Sequence, residues 1–204
     1  MAKKKKFLAR VPRGIAAFAY IHKRDTGHKY STNKFKVTVV LDGDTDMEAI
    51  RAKALEVAAH EWGDKVPEGD IVMPWRDGND HKQEEFHGKI LLTASSKFAP
   101  TVVDSKRKPL KKGVQVWSGD EVAIVVNLNP YERTEKVREG KKMVEVQTFG
   151  VSAQLNIVQL IAKNSGGGGL NLLEDEEGFE NDDVDDADET DADADTDEDN
   201  DGDY

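Results

Sequence analysis

The chain has 204 residues, 37% hydrophobic and 34% charged, with a formal net charge of −11 and no cysteine. The lack of cysteine excludes disulfides, thiolate nucleophiles, iron–sulfur clusters and Cys-ligated zinc, and no apolar run approaches the roughly 20 residues that span a bilayer. The net charge conceals two opposed parts: 19 of the 40 acidic residues and none of the 29 Lys and Arg lie between Glu174 and Tyr204, setting a body of +8 against a terminal segment of −19.

Residues 1–13, with Lys3–Lys6, Arg10 and Arg13, read as a basic N-terminal arm. Together with Gly14–Ile21 they imitate a secretory signal. Arg10, Pro12 and Arg13 interrupt the apolar stretch, however, and His22-Lys23-Arg24 follows without a small-residue cleavage site. A cytoplasmic location is expected. Gly14–His22 is mostly apolar and reads as a strand buried on much of both faces, with turn chemistry at Asp25-Thr26-Gly27-His28. Lys34–Leu41 alternates: Phe35, Val37, Val39 and Leu41 share one face, and Lys36, Thr38 and Val40 the other, the signature of a strand.

Asp42-Gly43-Asp44 ends that strand, and Thr45 with Glu48 has the spacing of a capping box. Met47, Ile50, Ala54, Val57, Ala58 and Trp62 recur at helical spacing (Leu55 beside them), so an amphipathic helix of about four turns should pack on the sheet and stop at Gly63. Residues 63–85 show no period and carry Pro67, Gly69, Pro74 and Gly78, a long loop. Strand character returns at Phe86–Ala94, Glu121–Leu128 and Met143–Ile161, where Gly150 should introduce a bulge or bend. Residues 164–173 are a Gly-rich linker, and 174–204 hold too few apolar residues to fold, so a disordered acidic tail is expected.

Five short, mostly antiparallel strands and one helix predict a mainly β fold. The leading form is a five-stranded antiparallel oligonucleotide/oligosaccharide-binding barrel (OB-fold) over residues 14–163, with an α+β sandwich as the alternative.

No catalytic constellation emerges, and no enzyme activity, cofactor or metal is expected. The five histidines are scattered; His81 and His87 beside Glu84 and Glu85 read as a solvated loop. Asp197, Asp199, Asp201 and Gly202 copy the opening of a calcium loop, but the chain ends before the bidentate Glu at its twelfth position. Gly166–Gly169 lacks the Lys-Ser/Thr of a phosphate loop.

The cations are better organised. They cluster at Lys3–Lys6 with Arg10 and Arg13, at Lys106, Arg107, Lys108, Lys111 and Lys112, and at Arg133, Lys136, Arg138, Lys141 and Lys142. Each cluster should lie in an arm or inter-strand loop, where cations can meet a phosphate backbone and release its counterions. Single strands also need aromatic faces for stacking. Tyr30, Trp75, Phe86, Phe98, Trp117 and Tyr131 are the candidates, with Trp75 beside Arg76 and Phe98 beside Lys97 the most attractive; Trp62 and Phe149 read as core. A segment of −19 tethered to a +8 body is held near those cations at high effective concentration. It should compete with a nucleic acid for them. Asp203-Tyr204 could anchor in a partner's pocket.

Three stretches carry a family resemblance: Lys97–Asp104 (KFAPTVVD), Trp117–Tyr131 (WSGDEVAIVVNLNPY) and Gly150–Gln159 (GVSAQLNIVQ). With the acidic, aromatic-ended tail, the chain resembles bacteriophage single-stranded DNA-binding proteins over most of residues 10–163, although Tyr204 stands where such relatives end in Phe. The resemblance implies sequence-independent coating of single-stranded DNA in phage replication and recombination. It also implies tail contacts with a polymerase, helicase–primase or nuclease, and either a monomer or a homodimer. It would place the groove at Lys97, Phe98 and the 106–112 loop, with Trp75 and Tyr131 contributing. An RNA-binding, cold-shock-like barrel and an acidic-tailed chaperone or adaptor for basic proteins are the alternatives.

Overall fold

The computed structural model describes residues 5–27, 29, 31–139 and 142–164, with backbone alone for 135–139 and 142–143. The expected linker from residue 165 onward, the tail with Asp203 and Tyr204, the calcium-loop look-alike, and Lys3, Lys4, Tyr30 and Lys141 lie outside the described residues.

The fold is mainly β, with nine strands in one sheet and one α-helix among the described residues. The strands are β1 (Phe7–Arg10), β2 (Gly14–Tyr20), β3 (Phe35–Asp42), β4 (Ile71–Val72), β5 (Trp75–Asp77), β6 (Lys89–Ser96), β7 (Thr101–Val103), β8 (Glu121–Glu139) and β9 (Lys142–Ala162); helix α1 (Glu48–Trp62) lies between β3 and β4. β2 pairs with β3, β3 with β6 and β8 with both β2 and β9, all antiparallel, while β6 joins β9 in parallel. The pairings β2–β3–β6–β9–β8 therefore return to β2. β1 and β7 flank the ring on β8 and β9, and β4 and β5 pair with β9 and β6.

Alternation in the sequence decides which face each strand buries. Val37, Val39 and Leu41 of β3, Val122, Ile124, Val126 and Leu128 of β8, and Val151, Ala153 and Leu155 of β9 enter one core, closed by Ile50, Ala54, Val57 and Ala58 of α1. Trp62 reaches Phe149 edge-on, with ring centroids 5.3 Å apart, so both are core residues as their sequence context suggests. Gly63 ends the helix at φ 57°, in the left-handed region open to glycine.

Several expectations change. The capping box does not form: Met47 is the N-cap residue and makes no side-chain cap bond, and Glu48 N–H donates instead to Asp46 Oδ1 at 2.9 Å. The short Asp side chain accepts from the backbone two residues on, without needing Thr45. Residues 7–10, inside the expected arm, are a strand on β8, and Phe7 is buried against α1 with its ring 5.3 Å from His60. Lys5 is held there by Glu56 at 3.1 Å.

Gly150 does not interrupt β9. It pairs with Tyr131 in a continuous hairpin, and a Cβ at Gly150 would lie 2.5 Å from the Tyr131 ring, so a close approach accounts for the glycine. The third basic cluster is not in a loop. Arg133, Lys136 and Arg138 lie on β8 and Lys142 on β9, in the ribbon where these strands run past the ring. The 63–85 stretch contributes β4 and β5, and the segment beyond it seats Phe86 against Ala17, Val40 and Leu91 on the sheet's second face.

Candidate nucleic-acid interface

Cross-strand partners share a face, so register converts scattered residues into a surface. Tyr20 pairs with Lys36, Lys36 with Ser95, Ser95 with Gln154 and Gln154 with Asn127. These five half-buried residues form a row across all five ring strands, on the face away from the main core. Along the β8–β9 hairpin the same face continues through Asn129 opposite Ser152, Tyr131 opposite Gly150 and Arg133 opposite Thr148.

The amides of this row are held in place. Asn127 Nδ2 donates to Asn129 Oδ1 at 2.9 Å, and Asn129 Nδ2 donates to Gln154 Oε1 at 3.3 Å and to the Asn127 carbonyl at 3.1 Å. Ser152 Oγ donates to the Asn129 carbonyl at 3.2 Å. Such amides retain acceptor and donor capacity for a polar ligand.

Cations and rings flank the row. Lys36 Nζ lies 5.1 Å from the Tyr20 ring and 2.9 Å from Asp25 Oδ2. Asp25 is fully buried and also accepts from the Thr32 N–H at 3.3 Å, which anchors the β2–β3 loop. Arg24 lies over the Phe35 ring at 5.7 Å and donates from Nη2 to the Lys97 carbonyl at 3.1 Å, clipping that loop to the turn after β6. The turn spans β9 between Gln154, the partner of Ser95, and Ile157, the partner of Thr101. On it Phe98 is 76% exposed, as a stacking platform requires.

Beyond the turn, a cleft of about 340 Å³ has Ala123, Val125 and Ile157 on its floor and Arg10 and Arg107 at its sides. The basic loop is fixed by its own backbone: Asp104 Oδ1 accepts the N–H groups of Lys106 and Lys108, both at 2.8 Å. Gln159 Nε2 donates to the Asp104 and Ser105 carbonyls at 3.2 and 3.0 Å, tying the loop to β9. Lys106, Arg107, Lys108, Lys111 and Lys112 are all exposed, and Arg107 holds a φ of 64°.

Register thus puts Tyr131 and Arg133 on the outer face, and Arg107 of the 106–112 loop lines the cleft there, while Lys97 and Phe98 stand exposed on the turn clipped to the β2–β3 loop. It does not bring Trp75 to that face. Trp75 is half-buried and packs against the main core opposite Leu92, because its register on β6 turns it inward. Its neighbour Arg76 is exposed on the outer face opposite Leu91, four positions along β6 from Ser95. Phe86 is 1% exposed in the second cluster, so it is a packing residue and offers no ring to a ligand. Trp117 is exposed beside the end of β2. The side chains of Lys136, Arg138 and Lys142 lie outside those described.

Tyr20, Arg24, Asn127, Asn129 and Gln154 are the residues that sequence reading passes over. Alternation could have placed Asn127 and Asn129 opposite Val126 and Leu128, and Lys36 opposite Val37. Only strand register joins them. Among titratable groups near this face, His22 is held below its ordinary value, first by burial and then by the positive charge of Lys163. It is therefore neutral near pH 7, and its Nε2 accepts the Val116 N–H at 2.9 Å.

The sequence model of one family, described as Enterobacter phage Enc34 ssDNA-binding protein, matches residues 15–191. Among curated proteins none matches at a significant level. Solved structures similar to this chain include the single-stranded DNA-binding protein from bacteriophage Enc34 in complex with ssDNA, at 17% identity and TM-score 0.57, covering 82% of this chain and 97% of that one. They also include gp2.5, a single-stranded DNA-binding protein encoded by bacteriophage T7, at 20% identity and TM-score 0.54, covering 82% and 92%. At these identities the likeness is one of fold.

Proposed function

Because this chain belongs to the family of the Enterobacter phage Enc34 ssDNA-binding protein, we propose that it binds unpaired DNA without regard to sequence, along the outer-face row from Tyr20 to Asn127. We read the closed circuit β2–β3–β6–β9–β8 as an OB barrel, a fold that presents such a face to single strands. The observation that carries the reading is the row itself: five cross-strand partners, polar, charged or aromatic, with Lys36 among them and the exposed Lys97, Phe98 and fixed basic loop nearby. Exposed cations meet phosphates, rings stack on bases of any identity, and neither selects a sequence.

In this reading the protein coats and protects strands during phage DNA replication and recombination in the host cytoplasm. The acidic tail, 174–204, competes with DNA for the same cations and, when displaced, recruits a polymerase, helicase–primase or nuclease, with Asp203 and Tyr204 at the point of contact.

The test is a titration of the full chain with oligo-dT, the matching duplex and an RNA oligomer of equal length. Tight binding of dT with weak binding of the duplex is expected. Preference for the RNA would favour a cold-shock-like role instead. Failure to retain any oligonucleotide at low ionic strength, with capture of basic proteins, would replace the proposal with an adaptor role.

A further inference from the structure

The row ends at Tyr20, and a second feature begins there. Between Ala17, paired with Thr38, and Tyr20, paired with Lys36, β2 carries one residue more than β3. Phe18 sits in this bulge at a φ of 50°, a conformation rare for a bulky residue and one that tends to mark functional positions. The bulge leaves both Phe18 and Tyr20 lining one side of an open cavity of about 540 Å³; Trp117 and Ser118 line the other.

The opposing wall is latched to β2 and to His22 just beyond it. Gly119 N–H donates to the Ala16 carbonyl at 2.7 Å, Ala19 N–H to Ser118 Oγ at 3.2 Å, and Val116 N–H to His22 Nε2 at 2.9 Å. A segment fixed this firmly nevertheless leaves the Trp117 indole 56% exposed. Lys23 lines the same cavity and supplies a cation. A preformed space with aromatic walls and an adjacent cation, continuous with a row read as a strand's path, fits a flat ring joined to a phosphate.

We infer that the Phe18–Tyr20–Trp117 cavity is a nucleobase subsite, which takes an unpaired base from the strand lying on the row and stacks it against Trp117. The inference rests on the proposed single-strand binding. The bulge is what allows it: positions 18 and 20 of a regular strand share a face, and with Ala17 on the outer face a regular β2 would turn both Phe18 and Tyr20 toward the core.

The experiment measures affinity of the full chain for a dT oligomer and for the same oligomer with its bases replaced by abasic sites, at several salt concentrations. Stacking on one ring predicts that Trp117→Ala weakens dT binding about 5- to 150-fold with an unchanged salt slope, and that Trp117→Phe restores most of it. The abasic strand should not distinguish Trp117→Ala from the parent chain. Lys23→Glu should instead reduce the salt slope by about 0.7, the share of one phosphate contact. Full dT affinity in Trp117→Ala, or an equal loss on the abasic strand, would overturn the subsite while leaving strand binding intact. If the parent chain ignored both strands, the proposed function itself would fall.

Discussion

At Gly150 the backbone of β9 passes close to the ring of Tyr131, leaving no room for a Cβ. Gly150→Ala should therefore destabilise the fold by about 1–3 kcal/mol through overpacking. Adding Tyr131→Ser should recover part of the loss, read from denaturant midpoints in a double-mutant cycle; an unchanged midpoint for Gly150→Ala would deny the contact. Phe86 and Phe98 make a second contrast. Each follows a charged residue in the sequence, Glu85 or Lys97, and each qualifies there as a stacking residue. What separates them is distant chain: Ala17, Val40 and Leu91 cover Phe86, whereas Phe98 projects from a turn. Phe86→Ala should cost about 3–5 kcal/mol of stability. Phe98→Ala should leave stability within about 0.5 kcal/mol and weaken dT binding about tenfold, within the range for loss of one stacked base. Equal stability losses would refute that division. Trp75 is misread for the same reason, since register on β6 turns it inward and a tryptophan beside an arginine carries no sign of register.

The strong elements follow from period alone. β3, α1 and the apolar part of β8 stand where alternation or helical spacing puts them, because each buries one regular face. β1 is not legible, for the basic residues on either side of it mask a short strand anchored in the core by Phe7 and Ala9. Nor is the hairpin beyond Asn129, whose charged residues suggest a loop while its backbone remains paired. The row is illegible for a deeper reason: it exists only between strands, and no single segment encodes its own register. The segment before β8 depends on a titratable latch. Burial, and then Lys163, which is itself paired with Asp120 at 2.8 Å, hold His22 below 6.5. In the unfolded chain His22 takes a proton near pH 6.5, while in the fold it resists until lower pH. Its contribution is thus complete above 6.5 and declines as pH falls below that value. Between about pH 7.5 and 5.5 the parent chain should lose more stability than His22→Gln, which can still accept the Val116 N–H without titrating. Parallel pH profiles would remove the latch.

At the scale of the whole molecule, charge is the governing quantity: a +8 body and a −19 segment share one chain. If the tail stands in for the ligand, deletion of residues 170–204 should tighten single-strand binding at low salt, with the difference closing as salt screens both charges. Equal or weaker binding by the truncated chain would end the competition idea. In either form log K should fall with log[salt] by about 0.7 per phosphate contacted. All of this turns on where the strand lies. Iododeoxyuridine-substituted oligonucleotides, photo-crosslinked to the full chain and mapped by mass spectrometry, would locate it. The account predicts adducts at Tyr20, Phe98, Trp117 and Tyr131. Adducts confined to Trp62, Trp75 or the α1 side, with those four positions unmarked, would contradict it.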